Sequence, residues 1–225
     1  MRTARIFFPI GICLLLLPIS LSASQVSRLP PPLYNEVVLK KQFDAFMATL
    51  DYLSVSRDYP KAVRKLLSGN TGKQLEAVRT LVATGEIEVI PWLLPFLEYG
   101  NNPLQIWTGA SLDQLVSAHV LKRRDMGRPD VVLIRPPQAQ DRDLRPLAWV
   151  ILKMFRRPDD GNTHAYAASM TRYLGLYEFR RELERGLQSR HPAVSNKAKW
   201  ALESLARQKE YEKALPDQAA GYSGQ

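Results

Sequence analysis

The sequence has a single cysteine, Cys13, and so no partner for a disulfide. That excludes a small stapled scaffold, whose stability needs several bridges. Histidine is scarce too: only His119, His164 and His191 are present. No two of them lie four residues apart, and none sits at metal-ligand spacing from a cysteine or carboxylate, so no metal centre is indicated. Glycine-rich phosphate loops are lacking, since Gly69-x-x-Gly72 reads as a helix turn. Ser56-Arg57-Asp58 and Ser111-Leu112-Asp113 have no nucleophile elbow around them. Asp159-Asp160-Gly161-Asn162 lacks the periodic ligands of a calcium loop and reads as a turn. These absences point away from an enzyme and imply no cofactor. His119, at a helix end, is the one candidate for a site that the histidines offer.

Only one long apolar run occurs, Ile6 to Leu21, and its position is informative. Arg2 and Arg5 precede it, Pro18 interrupts it near its end, and Ser22-Ala23-Ser24 follows. That order is the layout of a secretory signal peptide over residues 1–24. A membrane span needs about 20 uninterrupted apolar residues, and this run is shorter and broken by proline. Cys13 lies inside the run without the small residues a lipid-acceptor cysteine requires. Cleavage near Ala23 or Ser24 removes two arginines and the only thiol, and sends the chain to the periplasm or the extracellular space. Its stability must then come from packing.

With 45% hydrophobic residues the chain can bury a core, which excludes a disordered polyelectrolyte. Residues 25–32 form a proline-rich lead-in. From Leu33 to about residue 210 the apolar positions recur at helical spacing. Leu39, Phe43, Phe46, Met47, Leu50 and Leu53 make the first stripe, and Val63, Leu66 and Leu67 face inward after Pro60. Thr71-x-x-Gln74 fits a capping box, and Asn102-Pro103 a cap followed by a first helical residue. Leu176, Phe179, Leu183 and Leu187 line a later helix. The rhythm fails from Lys122 to Arg142, where Val131-Val132-Leu133-Ile134 reads as a loop insertion that pins itself to the body. Residues 211–225 form a polar tail. No convincing strand appears, so the fold class is all-α.

The helices come in pairs, a leucine-rich first helix leading through a polar turn to a second that carries small residues. Gly72 to Leu97, Asn102 to Leu115 and Leu183 to Leu205 resemble HEAT-like repeats. The clearest stretch is Leu187-Gln188-Ser189-Arg190-His191-Pro192-Ala193-Val194, followed by Lys197-Ala198-Lys199-Trp200-Ala201-Leu202. Ser195 stands where that family usually has arginine, although Arg79 in Leu75-Glu76-Ala77-Val78-Arg79 fits the role. The resemblance implies an α-solenoid of about four HEAT-like helix pairs with a loop insertion in the middle, and a binding surface without chemistry.

The formal charge is +9. Lys122, Arg123, Arg124, Arg128 and Arg135 concentrate it in the insertion, where binding residues tend to lie. Arg180, Arg181, Arg185 and Arg190 instead alternate with Glu178, Glu182 and Glu184, which reads as a solvated, ion-paired face. The expected role is an exported protein-interaction or scaffold module. It binds an envelope protein through a concave helix face and the basic insertion, with Trp107 among the contributing side chains. The helical spacing of Trp107, Trp149 and Trp200 among leucines also fits core positions. A binder of anionic envelope polymer or lipid is the alternative, and a hydrolase or lyase with an unrecognised site a third reading. Nucleic acid is disfavoured by export and by the lack of any recognition module. N-terminal sequencing of the exported chain is expected to begin at Ser24 or Gln25; a chain that retains Met1 and stays in the cytosol overturns the signal-peptide reading.

Overall fold

The computed structural model describes residues 32–121, 142–158 and 161–221. Among them every regular element is helical and no strand occurs. The all-α class is therefore observed. The helices are α1 (Glu36–Ala48), α2 (Tyr52–Asp58), α3 (Pro60–Leu66), α4 (Thr71–Val82), α5 (Ile90–Tyr99) and α6 (Asn102–Leu121). After the insertion come α7 (Ala148–Phe155), α8 (Gly161–Leu174), α9 (Arg180–Leu187) and α10 (Pro192–Gly221). None of the described helices is long and apolar enough to cross a membrane. The signal-peptide segment and the apolar quartet Val131–Ile134 lie outside the described residues.

Asparagine and aspartate start several helices by accepting orphan amide hydrogens. The Oδ1 of Asn35 takes the amides of Val37 and Val38, and that of Asn70 takes Lys73. Asn101 Oδ1 takes the amide of Leu104 at 3.1 Å. Two starts thus fall one residue earlier than the sequence suggests. Asn70 rather than Thr71 caps α4, and Asn101 rather than Asn102 caps α6. The displaced residues hold neighbours together instead. Gln74 Nε2 donates to the carbonyl of Leu66 at the end of α3, and Asn101 Nδ2 donates to Thr71 Oγ1 at 2.9 Å.

Termination is equally local. Gly85 after α4 and Gly175 after α8 adopt φ values of 75° and 64°, a left-handed conformation that costs a side-chain-bearing residue far more. Asp51 opens α2 and so breaks the first apolar stripe. Leu53 then faces solvent at 61% exposure instead of joining Leu50 inside. Leu67 is 67% exposed because it sits at the end of α3, past the last turn that faces the core. Leu187, at the end of α9, is exposed as well. The backbone of α10 runs on to Gly221, into the stretch that reads as a tail, and Leu205 is the last buried side chain among those described.

Packing follows a repeated plan. α3 packs on α4, α5 on α6, α7 on α8 and α9 on α10. The second helices of these pairs also meet in series, α4 on α6, α6 on α8 and α8 on α10. A single 3₁₀ turn precedes each of α5, α7 and α9, and each ends on a buried apolar residue: Val89, Leu147 or Phe179. Small side chains set the approach of the later helices. Ala168, Ala198 and Ala201 are fully buried, and a Cβ on Gly186 would lie 3.0 Å from that of Ala198. α1 packs against α7, so the first described helix lies on a late one.

Phe179 is the largest fully buried side chain. Its ring meets Tyr34 edge-on at 5.2 Å and Phe155 at 6.1 Å. Replacing it by alanine removes a core aromatic shared by three segments. Phe179→Ala is expected to cost about 3–5 kcal/mol in urea denaturation, whereas exposed Leu67→Ala should change stability by no more than about 0.5 kcal/mol.

Candidate functional site: the second-helix face

The sequence allows the tryptophans either contact or core positions, and the structure divides them between the two. Trp107 on α6 is 41% exposed and Trp200 on α10 is 48% exposed. Trp149 on α7 is partly buried against the core. Each ring accepts a cation on its face. The Arg79 guanidinium of α4 lies 4.2 Å from the Trp107 ring centre. Lys153 Nζ lies 5.6 Å from Trp149, and Lys197 Nζ 5.7 Å from Trp200. The negative π-face attracts the charge, and both groups lose rotamer freedom on stacking. The Arg79–Trp107 pair spans two consecutive second helices and presents a rigid, amphipathic contact to solvent.

The helices α6, α8 and α10 also bring together polar groups that the sequence keeps far apart. Asp113 of α6 faces Ser169 and Tyr173 of α8 and feels Lys197 of α10. Burial pushes the Asp113 carboxyl up to about 6, against the opposing pull of the Ser169 hydroxyl and the Lys197 charge. Its Oδ1 is buried without a partner. Burial also raises the Tyr173 phenol, with the Asp113 charge adding to the effect. Arg172 stacks over the Tyr173 ring at 5.7 Å. Lys197 thus serves both the Trp200 ring and the field around Asp113.

The insertion residues Lys122, Arg123, Arg124, Arg128 and Arg135 lie outside the described residues, so Trp107 is the expected contact that the structure places. The base of the insertion is described. His119 Nε2 meets the carbonyl of Arg142 at 3.1 Å, which joins the last turns of α6 to the returning chain. The Arg142 guanidinium then pairs with Glu88 at 3.2 Å and reaches the carbonyl of Thr49 at 3.4 Å. His119 therefore acts as a clasp for the two ends of the loop. His164 is half-buried, and its Nε2 meets the carbonyl of Arg157 at 2.8 Å. His191 begins α10 with its ring over Gly161, where a Cβ would fall 2.5 Å from His191 Cγ. No group of three metal-ligating side chains occurs among the described residues.

Two side chains missed in the sequence stand out. Asp113 carried only the negative signal of a failed hydrolase motif. Glu182 was read as part of a solvated charged face, yet it is 7% exposed. The ion pair that forms on α9 is Arg180–Glu184 at 2.7 Å. Neither acid could be found from its neighbours in sequence, because the groups that bury it belong to other helices.

Compared with protein-family models, curated proteins and solved structures, the chain matches none.

The raised Asp113 carboxyl has a definite sign for stability. The folded state binds its proton more tightly than the unfolded state, so this group favours folding less as the pH rises from about 4 towards 6 and beyond. Asp113→Asn, which stays neutral, is expected to be more stable than the parent by about 1–2 kcal/mol at pH 7.5. The difference should shrink towards pH 4.5 in paired thermal melts. A gap that does not change with pH would show the carboxylate to be stably charged in place.

Proposed function

We propose that the chain is an exported interaction or scaffold module, a HEAT-like α-solenoid of about four helix pairs, which docks a protein partner on its second-helix face. The observation that carries this reading is the series α4, α6, α8 and α10, with Trp107 exposed on α6, Trp200 exposed on α10, and a cation over each ring. Exposed tryptophans are among the side chains that dominate protein interfaces, and a cation over the ring reduces the rotamer freedom lost when they are covered. The polar cluster around Asp113 and Ser169 joins α6 to α8, with the Lys197 charge of α10 acting on it.

In this reading the basic insertion, whose base is clasped by His119 and Arg142, adds cationic charge to the contact. Charge contributes to steering, while the aromatic contacts supply the lasting affinity. The same insertion supports the alternative of an anionic polymer or lipid surface as the target. An excess of cations alone suffices for that binding, and salt weakens it.

The test is retrieval of partners from an envelope fraction with the mature chain as bait. The parent, the pair Trp107→Ala with Trp200→Ala, and a version lacking residues 122–142 are compared between about 50 and about 300 mM salt. A protein retained at the higher salt by the parent, and lost at least tenfold with the tryptophan pair, is the expected result. Capture that disappears with salt and ignores the tryptophans would transfer the function to the polyanion reading. If the version without the insertion retrieves the same partner equally, the insertion has no part in binding.

A further inference from the structure

A second surface feature lies away from the tryptophans, where the lead-in meets the last helix pairs. A cleft of about 410 Å³ opens there, between the Pro32–Tyr34 segment and α7, α8, α9 and α10. Phe155, Ala168, Val194 and Ala198 form an apolar wall, while Glu182, Arg181 and Arg185 face the cleft from α9. Tyr34 closes the side opposite, with its hydroxyl donating to Glu182 Oε1 at 2.8 Å. Burial, and then that bond, raise the Tyr34 phenol, so it remains a donor. Arg156 at the rim is already committed to Glu36, with which it makes a two-pronged ion pair.

Glu182 is the anomaly. It is more than nine-tenths buried, and its other oxygen, Oε2, is shut off from water without a partner. No cation among the described residues lies within ion-pair distance of it. A buried carboxylate with one hydroxyl bond is expensive, and the deficit is that of a missing positive donor. Beside it the Nε of Arg181 is likewise buried and unpartnered, and the guanidinium of Arg185 is exposed and free of ion pairs among the described residues. One wall therefore lacks a cation, its neighbours lack an anion, and an apolar strip lies between them.

The geometry points to this cleft as a binding site for a small zwitterion of the α-amino-acid class with an apolar side chain: the ammonium pairs with Glu182, the carboxylate with Arg181 and Arg185, and the side chain lies on Phe155. A purely anionic ligand would leave Glu182 unpaired and face its charge. A simple amine would leave the arginines unused. Neither exposed tryptophan nor the cation on its ring lines the cleft, so this site stands or falls independently of the docking proposal.

Calorimetric titration of the full mature chain with L-leucine tests it, alongside isopentylamine and 4-methylpentanoate as the two half-ligands. Saturable binding of leucine is expected, weakened at least about tenfold in Glu182→Gln, which removes the charge but leaves an acceptor for Tyr34. Arg185→Ala, on an exposed side chain, should weaken leucine and 4-methylpentanoate but leave isopentylamine unchanged. It also carries the test if the buried variant does not fold. No saturable heat from leucine up to about 10 mM, equal binding by the parent and both variants, or an amine that binds as tightly as leucine would each overturn the assignment.

Discussion

The close approach of the second helices is the constraint on which the rest of the molecule depends. α8 lies between α6 and α10, and it can touch both only because its contact positions are small. Ala167 and Ala168 are fully buried on α8, Ala198 and Ala201 on α10, and Gly109 on α6 leaves the space that Tyr166 and Met154 enter. Short side chains bring helix axes near, and the larger residues of α5, α7 and α9 then fill the outer grooves. The polar cluster of Asp113, Ser169, Tyr173 and Lys197 exists because three helices stand this close. Pushing them apart would return each of those groups to water and release the Asp113 carboxyl from its raised value.

Much of the helical layout was legible from periodicity, and the misreadings share one physical origin. Spacing identifies the residues on one stripe of a helix but not what covers that stripe. Leu39, Phe46 and Leu50 follow the expected inward pattern, while Leu53 leaves it because Asp51 starts a new helix. Trp107 and Trp200 keep helical spacing with leucines yet lie at the margins of their stripes, where a cation rather than a neighbouring helix covers the ring. Caps shifted by one residue because two capping residues stand side by side, Asn70 with Thr71 and Asn101 with Asn102, and either can accept the first amides. Glu182 failed in the opposite direction. Its neighbours spell a charged surface helix, but the hydroxyl that meets it comes from Tyr34, 148 residues away in sequence.

The distribution of charge separates two kinds of surface. Acidic residues of the described body mostly have a cation at hand, as in Lys65–Glu76, Lys153–Glu98 and Arg180–Glu184. Exposed pairs of this kind contribute little to stability, typically less than about 1 kcal/mol each. They do neutralise the outer surface, leaving the aromatic–cation stacks and the insertion as the distinctive features. Arg79 and Lys197 differ from the ordinary surface cations because their charge rests on a tryptophan ring.

The lead-in is tied to the far end of the chain by two fastenings, Tyr34 on Glu182 and Glu36 on Arg156. Both partners belong to segments made late in synthesis. The opening helix thus has no finished seat until α7 and α9 have emerged, and the loop that must close is nearly the whole domain. A polypeptide built this way delays its own completion: its early part stays pliable and threadable while the remainder is still being delivered, and locks only when the last turns arrive.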